Sequence, residues 1–221
     1  MDNQTAKEEV LTQGDGMYTA ESWKSALWET NPYKSIDLYT ELLEKYPDST
    51  AIYNNRGLRF LKTKQYEKAV DDFKKGLELD EYDVNLLRHL AKAYAYMEDF
   101  NNAFEQVDKA IFTNEKDYSS KLLKAEILMR QSKMTSALEE IEQLLLYADF
   151  EHMVYEKCRL YFLLGIIYFV EDNTSKAEEN FKLAFSDRSY WDSYLSNFAF
   201  EALDIKTQTN IANIITQITA Q

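Results

Sequence analysis

The sequence predicts an all-α fold, a solenoid of antiparallel helix hairpins with about five repeats and further helices capping the C-terminal end. Small residues recur at a fixed spacing: Gly57, Ala91 and Ala125 lie 34 apart, as do Ala69, Ala103 and Ala137. Larger apolar residues keep step with them, with Phe60, Tyr94 and Leu128 in one register and Phe73, Val107 and Ile141 in another. Helix breakers are scarce, with five Gly and two Pro in 221 residues that are 45% hydrophobic. That is the usage of a packed helical protein.

Each element follows from the period. A further register, Tyr66, Phe100 and Met134, opens the second helix of each hairpin. The copy from Thr50 to Asp83 carries Tyr53, Gly57, Phe60, Ala69, Phe73 and Gly76; the next, from Val84 to Asp117, carries Leu87, Leu90, Ala91, Tyr94, Ala103, Val107 and Ala110. The third, from Tyr118, retains Ala125, Leu128, Ala137, Ile141 and Leu144 but has Lys121 and Lys124 where apolar residues stood, so its front is weaker. Tyr161, Leu164, Gly165, Tyr168, Ala177, Phe181 and Ala184 repeat the pattern with Gly165 displaced to 40 residues after Ala125, which places a six-residue insertion within Leu146 to Lys157. Projected backwards, Tyr39 and Pro47 belong to a leading repeat whose first helix is degenerate around Trp23 to Trp28. Asn31 before Pro32 reads as an N-cap followed by proline at the first helical position.

This pattern resembles the tetratricopeptide repeat, whose signature runs from a large residue through Leu-Gly, Tyr, Ala, Phe and Ala to Pro over 34 positions. The resemblance covers roughly Tyr18 to Leu203. It implies a right-handed superhelical solenoid over 17–203, with repeats at 17–49, 50–83, 84–117, 118–151 and 158–191, after a loose tail at 1–16. In such an array no hairpin buries its apolar face alone, so stacked neighbours supply the core and the ends need covering. Leu195, Phe198 and Ala199 start a trailing half-repeat, and Ile211, Ile214, Ile215 and Ile218 form one helical stripe; together 192–221 reads as capping helices. The alternative for that stripe is a docking surface for a partner helix or a second copy of the chain.

Composition bounds the function. With 38 acidic against 25 basic residues the formal charge is −13, which repels nucleic-acid phosphates and anionic membranes. The longest apolar stretch, Leu160 to Val170, is about half of the roughly 20 residues a membrane-spanning helix needs. The first thirty residues lack the basic start and apolar core of a secretory signal, so a cytoplasmic location is expected. Cys158 is the single cysteine, and no cluster has zinc-ligand spacing, so neither a metal nor any other cofactor is expected. No phosphate loop, nucleophile elbow or His-Glu-x-x-His pair is present, and His89 and His152 stand alone. No catalytic residue is assigned. The acidic pairs Asp71-Asp72, Glu139-Glu140 and Glu178-Glu179 recur in second helices and read as a solvated outer wall.

The resemblance also implies which residues meet a partner. Repeat positions 2, 5, 6, 9, 12 and 13 of each first helix usually line the concave groove. The first clear copy places Asn54, Asn55 and Lys62 there; the second places Asn85, Arg88, His89, Lys92 and Tyr96; the third places Leu122, Glu126 and Arg130; the fourth places Arg159. Over the twenty-four inner positions of these copies there are five cations and one anion, a charge of +4 in a chain of −13. The reading is a protein-interaction scaffold or adaptor whose groove takes an extended, acidic peptide, with Asn54, Asn55 and Asn85 bonding its backbone. The alternative for the charges is that they pair with carboxylates of neighbouring helices. The alternative for the function is a dedicated secretion-type chaperone of one client, and an unrecognised enzyme is the third reading. A homo-oligomer through the C-terminal apolar helix is a further expectation. One specialisation of the family grips acidic chaperone tails with a Lys and two Asn on two inner helices, then a Lys and an Arg on the third. The matching positions here hold Asn54, Leu58, His89, Ser119 and Leu123, or one repeat earlier Ala20, Lys24, Asn55, Asn85 and His89, so that clamp is not expected.

Overall fold

The computed structural model describes residues 20–147, 153–186 and 199–220. Eleven α-helices are found there: α1 Ala20–Trp28, α2 Pro32–Lys45, α3 Thr50–Lys62, α4 Tyr66–Leu79, α5 Val84–Tyr96, α6 Phe100–Thr113, α7 Tyr118–Arg130, α8 Met134–Tyr147, α9 Val154–Val170, α10 Thr174–Ala184 and α11 Ile205–Thr219. No strand occurs among the described residues. The chain divides into two compact units, Met1–Met97 and Glu98–Gln221.

Helix starts are set by short polar side chains that accept from otherwise unpaired backbone N–H groups. Asn31 Oδ1 accepts from Tyr33 and Lys34 ahead of α2, with Pro32 at its first turn. Asp83 does the same for α5, accepting from Asn85 N at 2.8 Å and Leu86 N at 3.0 Å. The turns inside hairpins share one device that the sequence hides, because no glycine marks it. Lys64, Glu98, Ser132 and Asp172 all sit at φ near +60° (59 to 60), spaced 34, 34 and 40 residues apart, so the six-residue insertion shows in the turns as well. Three of these turns return an N–H to a carbonyl five residues back: Gln65 to Phe60, Lys133 to Leu128 and Asn173 to Tyr168, at 2.8 to 2.9 Å. This is the helix-ending geometry usually given to glycine.

In the first unit, Trp23, Ala26, Tyr39, Leu42, Leu43 and Ile52 form one cluster, with Trp23 edge-on to Tyr39 at 5.9 Å. The stretch around Trp23 that departs from the repeat pattern is therefore still a first helix, packed on α2. Arg59 of α3 reaches into this hairpin, donating to Ser35 Oγ at 3.1 Å and to the Leu27 carbonyl at 3.3 Å, while buried Ser35 donates to the Ala26 carbonyl at 2.9 Å. A second cluster joins Phe60, Ala69, Val70, Phe73, Leu86, Leu90 and Ala93.

In the second unit one large cluster runs from Leu122 to Ile215. Its centre is α9, which has 17 residues where α3, α5 and α7 each have 13. Four residues of the insertion are thus absorbed as an extra turn. Leu160, Phe162, Leu163, Leu164, Ile166 and Ile167 are all buried, so from Leu160 to Ile167 α9 is enclosed by its neighbours, while its first turn carries Glu156 and the exposed Lys157. Ile211 and Ile215 of α11 are buried in the same cluster, and Ile214 and Ile218 pack partly buried against it. The isoleucine stripe thus faces the chain's own core. Ala199 is buried there too, beside a short 3₁₀ turn, Phe200–Ala202; Leu195, Phe198 and the tail 1–16 lie outside the described residues. No helix of the described residues is long and apolar enough to cross a membrane.

The hairpin crossings explain the small residues. Gly57, Ala91, Ala125 and Gly165 are all buried. A Cβ on Gly57 would lie 2.5 Å from Phe73 Cε1, and one on Gly165 would likewise collide with the ring of Phe181. In both cases the phenyl ring is 16 residues on, in the second helix of the same hairpin. Where the residue 16 on is smaller, the small partner has grown: Ala91 goes with Val107 and Ala125 with Ile141. The two positions trade volume, since close-packed interiors leave no room for an extra methyl group.

Gly57→Ala is therefore expected to cost about 1–3 kcal/mol by overpacking the crossing, although alanine is the better helix former. Adding Phe73→Ile, which restores the Ala/Ile pairing of the third repeat, is expected to recover most of that loss. Urea unfolding of the two single variants and the double gives the coupling energy. Simple additivity would mean that these residues do not compete for one space.

Candidate interaction surface

In the first unit the inner positions belong to α3 and α5, which pack side by side. Asn54 of α3 and His89 of α5 join across them, Oδ1 to Nδ1, at 2.8 Å. Asn55 donates to the Ala51 carbonyl of its own helix at 2.8 Å. Arg88 donates to Asn85 Oδ1 at 2.6 Å, one turn back. Lys92 lies over the Tyr96 ring at 5.8 Å, and Tyr96 stacks flat on Tyr66 with centroids 4.9 Å apart. Lys62, at the C-terminal end of α3, is exposed. Phe73 packs at 5.7 Å from the imidazole of His89, whose pKa falls to about 3 through loss of solvent and the nearby charges of Arg88 and Lys92. The ring is neutral at physiological pH.

The second unit treats its inner positions differently. Leu122 is fully buried and Glu126 is 1% exposed, so neither offers its side chain to a partner, contrary to the reading that set them on a groove surface. Glu126 receives both arms of Arg159, from Nε and Nη2 at 2.7 Å each. The one anion among the inner positions and one of the five cations thus pair with each other, joining the first helices of two repeats. The bidentate geometry suits a guanidinium and a carboxylate that must leave solvent together. Phe162, Leu163 and Ile166, at inner positions of α9, are core residues. Arg130, at the end of α7, is half-buried.

The outer wall needs a correction as well. Asp71 is exposed, but Asp72 is buried and held by Arg56, from Nε at 2.8 Å and Nη2 at 2.6 Å. Burial raises the Asp72 pKa against the pull of Arg56. The same 16-residue spacing recurs in the third repeat, where Lys124 Nζ lies 3.4 Å from Glu140 and 3.0 Å from Asp108. Lys124 is thus the basic half of an ion pair, which accounts for its place among apolar residues; Lys121 lies over the Tyr118 ring at 5.7 Å. The signal for both pairs was present in the sequence as matching charges 16 apart. Arg59 gave no such signal. Among the described residues no group of His, Cys, Asp or Glu is placed to hold a metal ion.

Comparison with known proteins agrees with this geometry. One tetratricopeptide-repeat family model matches residues 50–83, and a second matches 89–152. Residues 50–83 and 89–152 are tetratricopeptide repeats. Human tetratricopeptide repeat protein 12 is 30% identical over 115 residues, which is 50% of this chain and 16% of that protein. The structure is similar to that of a tetratricopeptide repeat protein from Parabacteroides merdae, with a TM-score of 0.65 at 20% identity over 85% of this chain and 64% of the other. It also resembles YrrB, a tetratricopeptide-repeat protein with an unusual peptide-binding site, with a TM-score of 0.52 at 17% identity over 91% and 97% of the two chains. The chain thus spans a small part of the human relative's length and just under two thirds of the Parabacteroides chain. At these identities the two structures speak for the fold alone. The repeats support a role as a protein-interaction scaffold, in a fold that is typically non-catalytic.

The burial of Glu126 gives a direct test of its pairing. Arg159→Met strands a buried carboxylate and is expected to cost about 3–5 kcal/mol, whereas Arg159→Met with Glu126→Leu should restore most of the stability. Thermal or urea unfolding of the two variants decides it. An Arg159→Met protein as stable as the parent would place Glu126 in water.

Proposed function

We propose that the inner-position face of α3 and α5 binds an extended, acidic segment of a partner protein. The observation that carries this reading is the charge of that face. Its twelve inner positions hold Lys62, Arg88 and Lys92 and no Asp or Glu, in a chain of net charge −13. Such a local reversal steers and selects a carboxylate-bearing partner against a repelling background. The side chains between the cations suit a peptide: Asn54, Asn55 and Asn85 carry amide groups that match main-chain N–H and C=O, and Tyr96 offers a half-buried ring. Support also comes from comparing the units one by one: the inner positions of α7 and α9 are largely buried in the second, whereas those of α3 and α5 are largely accessible in the first. The peptide-binding site named for YrrB is a parallel within the same fold.

The probe is a fluorescein-labelled decapeptide of alternating Glu and Thr, soluble and inclined to extended conformations, followed by fluorescence anisotropy. It is expected to bind, and matching Gln-Thr and Lys-Thr peptides are not. Replacing Lys62, Arg88 and Lys92 together by Ala should weaken binding about tenfold, since each partly exposed charge pair is worth about 0.5 kcal/mol. Replacing Lys68, Lys74 and Lys75 of α4, all exposed, changes the net charge equally and should leave affinity within about twofold. Equal losses in the two triple variants would show that only overall charge matters and would remove the α3 and α5 face as the site.

A further inference from the structure

The polar groups on the α3 and α5 face are unequal in kind. Lys62, Arg88 and Lys92 can only donate, and the amide nitrogens of Asn54 and Asn85 add further donors. A face made for a bare anion would hold donors alone. This one also holds an acceptor whose state is fixed by its neighbour. Asn54 Oδ1, 2.8 Å from His89 Nδ1, can only accept, so the proton sits on Nδ1 and the lone pair of the neutral ring is left on Nε2. That nitrogen has no hydrogen-bond partner among the described residues. The ring is held by Asn54 from α3 and Phe73 from α4, with Arg88 and Lys92 beside it on its own helix. Loss of solvent first, and then those two nearby charges, keep the imidazole from taking a second proton.

We propose that His89 Nε2 is the hydrogen-bond acceptor for a main-chain N–H of the bound segment, so that this face takes an acidic peptide and discriminates against free carboxylates. The inference rests on the reading of this face as a site for an acidic segment. The oxygen atoms of an ionised carboxylate only accept, and against Nε2 they would set lone pair to lone pair. A peptide brings an N–H between each pair of carbonyls and satisfies donors and acceptor together. Asn55 works in the same sense, since its amide nitrogen is engaged by the Ala51 carbonyl and its Oδ1 remains able to accept. The lysines and Arg88 then attract the ligand, and His89 tells a chain from an ion.

The test uses the Glu-Thr decapeptide and two depsipeptides, in which the amide before every Glu or before every Thr is replaced by an ester. Alternate N–H groups of an extended strand point to the same side, so one of the two depsipeptides lacks every N–H on the His89 side. That one is expected to bind the parent protein at least fivefold more weakly than the all-amide peptide. His89→Asn keeps an amide nitrogen for Asn54 and removes the Nε2 acceptor. It is expected to bind the all-amide peptide at least fivefold more weakly and to lose the preference for amide over ester. Affinity of the parent should be flat between pH 6 and 8, where an exposed histidine would titrate. If His89→Asn fails to fold, judged by circular dichroism, the two depsipeptides on the parent protein decide the matter alone. Equal binding of all three peptides to the parent, or full affinity in a folded His89→Asn, overturns the role of His89 while leaving the acidic-segment reading intact. If the all-amide peptide does not bind the parent, both fall; glutarate competing as well as the peptide would overturn the discrimination.

Discussion

The crossing of the two helices within a hairpin leaves no space for a Cβ where a phenyl ring occupies the opposite position, and the rest of the structure is hung on that constraint. Gly57 against Phe73 and Gly165 against Phe181 set the closest approach. Once the crossing is fixed, the direction of each first helix is fixed, and with it the set of side chains turned inward. The same constraint explains why the period survives an insertion: the longer α9 and the 40-residue step between Ser132 and Asp172 move the fourth hairpin along the chain without changing how its helices cross. Small residues are therefore spaced by the hairpin, and not by any need for flexibility.

Charge is divided between two roles by where each cation sits relative to that crossing. Arg56, Arg59, Lys124 and Arg159 reach between helices and join them, to Asp72, to Ser35 and the Leu27 carbonyl, to Asp108 and Glu140, and to Glu126. Asp72, Ser35 and Glu126 among these partners are buried, so removing the residue that pairs with one of them costs more than the pair contributes. Lys62, Arg88 and Lys92 lie on the open face of α3 and α5 instead. Of the two readings of the inner charge, pairing within the chain holds for Arg159 and Glu126, and recognition of a partner is what we propose for the cations of α3 and α5. The first unit keeps its excess of positive charge.

The period of 34, the displaced fourth repeat and the apolar registers were legible because each is repeated, and a burial pattern repeated four times cannot arise by accident of local composition. The N-cap at Asn31 with Pro32 was legible from two residues alone. What stayed hidden were features decided by a second helix. Asp71 and Asp72 are neighbours in sequence but about 100° apart around α4, and only the position of Arg56 decides that one is buried and the other exposed. Leu122, Leu123 and Ile166 occupy inner positions of the repeat, yet the packing of the second unit encloses them. A hint was present in the unbroken apolar run from Leu160 to Val170, a stretch of α9 with no charged side chain to give to water. The left-handed turn residues were hidden for the opposite reason: Lys64, Glu98, Ser132 and Asp172 carry none of the glycine that usually marks such a turn.

The central claim is that recognition lies on the inner face of the first unit, and nuclear magnetic resonance of the full chain tests it most directly. With the acidic Glu-Thr peptide added stepwise, the side-chain amide signals of Asn54, Asn55 and Asn85 and the ring signals of His89 should shift together along one saturating curve. The backbone amides of α7 and α9 should remain in place. Saturating shifts confined to α7, α9 or the outer helices, with α3 and α5 unmoved, would contradict the account.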